Sequence, residues 1–194
     1  MSTQSNLANL QLSNKGELSE RLIEMGFDDF DTLAEWVKNL PYQRISDKSN
    51  LGLTITENRG TCSTKHAFLK TLAIEQGWND ITLYIGIYRM KGSNTKGVGG
   101  ILSKIGIDYI PEAHCYLKYK GNRMDFTHPE LNVLNVENEI MKEVLIQPEQ
   151  IGQYKNTLHK RFVEDWLKQE KVNYSLDFIW RMREECIQQL VEKL

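Results

Sequence analysis

The sequence predicts an α+β fold in one domain, and three observations predict it. A glycine turn at Gly60 leads into Phe68, Leu72 and Ala73 at helical spacing, with Gly77 as a stop, the pattern of a helix over residues 62–76. Ile81, Leu83, Ile85 and Ile87 alternate with Thr82, Tyr84, Gly86 and Tyr88, the period of a strand half buried on one face, and residues 113–119 and 122–127 read as a hairpin turned at Lys120-Gly121. Amphipathic helical stripes stand at both ends of the chain. Its 194 residues, 40% of them hydrophobic, can bury one sizeable core, so residues 1–194 are expected to form a single domain. Within it, a loose N-terminal segment and helices run to residue 50, a core spans 51–147 and helices fill 148–194.

Residues 1–13 are polar, with Leu7, Leu10 and Leu12 offering a marginal contact to the body. Leu18, Leu22 and Ile23 make a short helix between Lys15 and Met25, ended by Gly26. Phe30, Leu33, Trp36, Val37 and Leu40 make a second from Asp28 to Leu40, stopped by Pro41, with Trp36 as a packing residue. Ser46, Asp47, Ser49 and Asn50 form a loop, after which Leu51, Leu53 and Ile55 alternate on the approach to the cysteine turn.

After the strand at 81–90, residues 91–113 make a connection far longer than the usual ~4–6 residues, which predicts a lid or specificity loop. Its run Gly97-Val98-Gly99-Gly100 lacks the Lys-Ser/Thr of a phosphate loop, so flexibility explains it better than nucleotide binding. Ile101, Leu102, Ile105 and Ile107 could form an apolar flap over substrate or pack on the domain. Beyond the hairpin come a loop at 132–138, a last strand at 143–147, a helix at 149–169 carrying Ile151, Tyr154, Leu158, Phe162, Trp166 and Leu167, and another at 176–194 carrying Phe178, Ile179, Met182, Cys186, Ile187 and Leu190.

Cys62 sits at the start of the 62–76 helix, where unpaired N–H groups and the positive end of the macrodipole favour a thiolate. A single cysteine there is ordinarily a small buried hydrophobe. The reading as a nucleophile gains weight from His114 and Asp125, a base and the carboxylate that orients it. With Lys120 and Gly121 as turn residues, Tyr119 pairs with Asn122 and Tyr116 with Asp125. Asp125 is then the diagonal neighbour of His114, with Cβ atoms about 7–8 Å apart. A turn at Gly121-Asn122 would set Asp125 opposite Lys118 instead, out of reach.

These residues resemble the transglutaminase-like superfamily, whose papain-like core places a Cys at a helix N-terminus against a His on one strand and an Asp on the next. The resemblance covers roughly Leu51 to Pro129. It implies a papain-like, transglutaminase-type α+β core, with the nucleophile helix packed on an antiparallel sheet, and Cys62 as nucleophile, His114 as general base and acid, and Asp125 as orienter. Arg59-Gly60-Thr61-Cys62 is also similar to the Arg-Gly-Gly-x-Cys run of arylamine N-acetyltransferases, with Thr61 replacing the second Gly. Two departures from transglutaminases are Ser63 after the nucleophile, where a bulky residue is common, and Cys115-Tyr116 after the base in place of Ala-Trp.

Other constellations are weaker. His66, four residues after Cys62, shares its helix face and could touch the thiolate, but such a pair leaves out Asp125 and brings no strand-borne base; His66 is expected to shape the cleft. His128 reads as a turn or rim residue and His159 as exposed beside Lys160 and Arg161; neither has Cys partners at metal spacing, so no metal is expected. Cys115 points to the face opposite His114 and Cys186 lies in an apolar stripe, both buried and inert. The three cysteines lack CxxC spacing and fit reduced thiols.

A net charge of −2 and an isoelectric point near 6.1 give no broad basic field, which argues against sequence-independent nucleic-acid binding. No signal-peptide pattern opens the chain and no stretch reaches about 18 apolar residues, so a cytoplasmic protein without a membrane span is expected. The expected function is cysteine chemistry on an amide or peptide through a Cys62 thioester, by hydrolysis, deamidation or amine transfer, with no cofactor. The partner is a peptide or small amide substrate, with neither nucleic acid nor membrane. The alternatives are N-acetyltransferase-like acyl transfer and a non-catalytic binding module on the same scaffold.

Overall fold

The computed structural model describes residues 10–130 and 136–192. It is α+β, with seven α-helices among the described residues and a four-stranded antiparallel sheet of order β3-β2-β1-β4. In chain order the elements are α1 (Glu17–Glu24), α2 (Phe30–Asn39), α3 (Leu53–Thr56), α4 (Cys62–Gln76), β1 (Ile81–Met90), α5 (Gly99–Lys104), β2 (Ile110–Tyr119), β3 (Asn122–Met124), β4 (Ile140–Ile146), α6 (Gln153–Gln169) and α7 (Leu176–Val191). Contacts group the chain into two units. The first holds the described parts of Met1–Tyr84, Cys115–Leu131 and Leu145–Ile151; the second holds those of Ile85–His114, Asn132–Val144 and Gly152–Leu194.

The first unit is organised around α4. Apolar residues on one face alone would leave a helix half exposed; here Cys62 through Lys70, Leu72, Ala73 and Gln76 are all buried. Helices α1, α2 and α3 and the 3-10 turn at Pro148–Ile151 pack against it. The ends of these helices are capped as their sequences require. Asp29 accepts from Thr32 N–H at 2.8 Å to start α2, and Glu75 of α4 accepts from Ser19 N–H at 2.6 Å in the first turn of α1. Gly77 takes φ 74° and closes α4 in the left-handed conformation.

The hairpin pairs Tyr119 with Asn122, Lys118 with Arg123 and Leu117 with Met124, which makes Lys120 and Gly121 the turn. Both take positive φ, 49° and 82°, as a two-residue turn matched to strand twist demands. Strand β3 ends at Met124, so Asp125 follows the ladder rather than lying in it. The alternating Leu51, Leu53 and Ile55 fall in a turn and the short helix α3, not in an extended run.

The second unit buries Tyr88, Met90, Leu102, Ile110, Val163, Trp166, Leu167, Ile179 and Cys186 in one cluster, with Ile101, Ile105 and Ile107 packed against it. Of the two roles open to the apolar residues of the 91–113 connection, core packing is therefore the one they take. The connection folds around a backbone contact: a Cβ on Gly92 would lie 2.7 Å from Gly99 Cα, so only glycine fits there. It contains helix α5, and β2 begins at Ile110, three residues ahead of the expected start. Strand β4 likewise starts three residues before the expected 143, and the helix expected from 149 is broken at Gly152, between the 3-10 turn and α6. Residues 1–9 of the expected N-terminal segment, 131–135, within or beside the expected 132–138 loop, and 193–194 of the expected 176–194 helix lie outside the described residues. No described helix is long and apolar enough to cross a membrane.

Candidate active site

Cys62 is the first residue of α4, outside any disulfide and with 6% of its surface exposed. The turn that delivers it is held by Thr61 N–H donating to Thr64 Oγ1 at 2.8 Å, which satisfies a donor at the helix entrance. Gly60 N–H donates to Pro41 O at 3.1 Å, and a side chain at Gly60 is excluded, because its Cβ would meet Lys65 Cγ at 2.8 Å and Thr64 Oγ1 at 3.1 Å.

His66, one turn below, is fully buried. Its Nδ1 lies 2.7 Å from the Cys62 carbonyl, and its Nε2 accepts the Phe126 backbone N–H at 2.7 Å. A carbonyl only accepts and an amide N–H only donates. The imidazole is therefore neutral with its proton on Nδ1. At 3.6 Å from Asp125 Oδ1, the same Nε2 sits beside the carboxylate without an ion pair in that state. Asp125, its side chain 2% exposed, accepts Thr127 N–H at 2.9 Å in a local turn. His66, expected to shape a cleft, is seen as a brace between the first turn of α4 and the segment bearing Asp125.

His114 lies on β2, half-buried, with Tyr88 edge-on to its ring at 6.4 Å. In the chain it stands three residues before Leu117, and Asp125 directly follows Met124, the strand partner of Leu117. The hairpin thus has the turn at Lys120-Gly121 and not the slipped one at Gly121-Asn122. Cys115, next to His114, is fully buried, as is Cys186, whose thiol burial pushes up to about 11.

Two groups here were not legible from spacing alone. Lys65 is wholly buried, its Nζ donating to Lys38 O at 3.1 Å, Leu40 O at 2.6 Å and Thr127 O at 2.7 Å. Burial lowers its pKa to about 8, while the negative charges of Cys62 and Asp125 oppose that fall. The sequence signal is that Lys65, Phe68, Leu69 and Leu72 share the helical spacing of a buried stripe.

The other group corrects the expectation of an exposed His159. Its Nε2 donates to Pro111 O at 2.7 Å and lies 4.0 Å from Glu112 Oε2, with Trp180 edge-on at 4.9 Å. Glu112 is gripped bidentately by Arg183, at 2.6 Å from Nε and 2.5 Å from Nη2. Burial would raise the Glu112 carboxyl, but the Arg183 guanidinium holds it at about 2.

Among the described residues no group of three or more His, Cys, Asp or Glu side chains is placed to hold a metal ion. A cavity of about 570 Å³ in the second unit is lined by Tyr109, Trp166, Glu170 and Tyr174 among others, and by none of Cys62, His114 and Asp125. No protein-family model matches the chain, and no curated protein matches it. Among solved structures the chain is similar to one from Cytophaga hutchinsonii described as a candidate cysteine protease, at 16% identity and a TM-score of 0.38. The match covers 68% of this chain and 44% of that one, so the chain spans less than half that protein's length.

Proposed function

We propose that this chain is a cysteine-dependent acyl-transfer enzyme of transglutaminase-like type, acting on an amide or peptide. Cys62 attacks the carbonyl, His114 takes the thiol proton and passes it to the leaving amine, and Asp125 orients the imidazole. The amine departs and leaves a Cys62 thioester, which water or a second amine then breaks. The backbone N–H of Cys62, at the open end of α4, is one donor to the oxyanion.

The observation that carries this reading is the first turn of α4. Cys62 opens a buried helix of 15 residues, where the dipole favours a thiolate, and His66 braces that turn to the segment bearing Asp125. The hairpin turns at Lys120-Gly121, the register that the sequence argument for His114 and Asp125 assumes, with Asp125 just past the end of the ladder.

The test is to trap the thioester. The protein is incubated with glutamine peptides and with acetyl thioesters, quenched in acid and weighed intact. The expected result is an adduct that hydroxylamine releases and that Cys62→Ala abolishes. A peptidyl mass supports the transglutaminase or protease reaction, and an acetyl mass supports N-acetyltransferase-like transfer. No adduct together with an unreactive Cys62 would overturn the enzyme in favour of a binding module.

A further inference from the structure

We propose that the buried ammonium of Lys65 is a positioning residue for the reaction, serving as the fixed counter-charge that holds Cys62 as a thiolate and pins the Asp125 turn. The inference rests on the reading of Cys62 as the nucleophile. Lys65 stands three residues after Cys62 on α4, and all three of its ammonium protons find acceptors: the carbonyls of Lys38, Leu40 and Thr127. Those acceptors are neutral. Hydrogen bonds of this kind satisfy the donors but leave a whole positive charge inside the protein, a costly arrangement unless anions stand near it.

The anions that favour the charged form are Cys62 and Asp125. Two of the three carbonyls, Lys38 and Leu40, belong to the C-terminal end of α2, whose partial negative charge adds to the same effect. Geometry ties the ammonium to both segments: on α4 it stands three residues from Cys62, and its bond to Thr127 O reaches the turn whose N–H Asp125 accepts, while His66, in the same region, is neutral. Charge coupling is reciprocal. If a Cys62 thiolate stabilises the Lys65 ammonium, the ammonium stabilises the thiolate by the same free energy.

Two features show the chain built around this side chain. Gly60 leaves room for the Lys65 stem, since a Cβ there would sit 2.8 Å from Lys65 Cγ. Thr127 is held from both sides, its N–H by Asp125 at 2.9 Å and its carbonyl by Lys65 at 2.7 Å. Lys65 thereby fixes the turn that carries the proposed orienting carboxylate.

The test reads the pH profile of Cys62 alkylation by iodoacetamide, mapped by mass spectrometry, in the full chain and in Lys65→Met and Lys65→Gln. Glutamine keeps hydrogen-bond donors and removes the charge, so a purely structural lysine would leave the profile unmoved. The expected result is a midpoint raised by on the order of one pH unit, with alkylation near neutral pH about tenfold slower. An unchanged profile in either folded variant overturns the proposal. Should both variants fail to fold, the unsubstituted chain decides: capping Cys62 with iodoacetamide replaces a thiolate by a neutral thioether, and Lys65 should then titrate at lower pH, followed by the 13C shift of its labelled Cε. An unmoved titration overturns the proposal. Absence of any acyl adduct with the profile shift present would refute the enzyme reading and leave the charge pairing standing, so the two failures are distinguishable.

Discussion

His66 Nε2 accepts the backbone N–H of Phe126 at 2.7 Å, joining α4 to a segment 60 residues further along the chain. Because Nδ1 simultaneously serves the Cys62 carbonyl, one neutral ring spans the distance between the proposed nucleophile and the residue after Asp125. Truncation to His66→Ala would strand a buried N–H and open a cavity. A loss of roughly 2–5 kcal/mol is expected in urea unfolding, from an unpaired donor and missing packing together. An unchanged midpoint would show that the brace carries no stability.

Gly60 gives a second test of the same region. Its Cβ has no space, and the neighbour that must move is the Lys65 stem, itself fixed by three carbonyls. Gly60→Ala is expected to cost about 1–3 kcal/mol, the range of overpacking, and to slow Cys62 alkylation as Lys65 shifts. If the variant unfolds at the wild-type urea concentration, the close approach is relaxed in solution.

Asp125→Asn separates structure from chemistry. The amide oxygen can still accept Thr127 N–H, so the turn and the folded state should survive. Thioester formation should fall by on the order of 10²-fold or more, since an amide cannot stabilise an imidazolium as a carboxylate does. Full activity in Asp125→Asn would remove Asp125 from the proposed triad.

Selective alkylation follows from exposure and thiol acidity. Cys62 keeps 6% of its surface while Cys115 and Cys186 have none, and burial pushes the Cys186 thiol to about 11. Iodoacetamide at neutral pH should therefore mark Cys62 alone in the native protein and all three cysteines in urea. Preferential native labelling of Cys115 would sink the assignment.

In the second unit, Glu112 predicts an acid limit to stability. The Arg183 guanidinium lowers its folded value to about 2 from an ordinary 4.5, so the stabilisation is present above 4.5 and is lost as pH falls toward 2. His159, lowered by burial, acts in the same direction through its own ordinary range near 6.5, because the unfolded chain takes up its proton more readily. Glu112→Gln removes the buried anion of the pair, leaving Arg183 with the more exposed Glu184, and should cost about 3–5 kcal/mol at neutral pH. Its unfolding free energy should then fall less steeply than that of the wild type between pH 5 and 2. Parallel pH dependences would refute the assignment.

The elements closed by local rules were legible in the sequence. Gly77 and the stripe through Phe68 and Leu72 define α4, strict alternation from Ile81 defines β1, and Lys120-Gly121 defines the hairpin register, because each is set by a glycine or by a period that no distant partner overrides. Lys65, His66 and His159 were harder, since their roles depend on carbonyls and amides contributed from 25 to 62 residues away. His159 is followed by Lys160 and Arg161, which suggest an exposed helix face, and its bond to Pro111 and its packing on Trp180 explain its burial. Glu112 reads as one acidic residue before a strand until Arg183 arrives from α7.

The enclosure of α4 sets an order of events during synthesis. The Cys62 thiol leaves the ribosome first, the turn that carries Asp125 and Thr127 emerges more than 60 residues later, and the Pro148–Ile151 turn that packs on α4 later still. Until then Lys65 lacks its third carbonyl and His66 its amide. A nascent chain therefore carries an ordinary cysteine. Whatever reactivity Cys62 owes to this surround is withheld until the chain has been made through Ile151, which spares the unfinished protein premature modification.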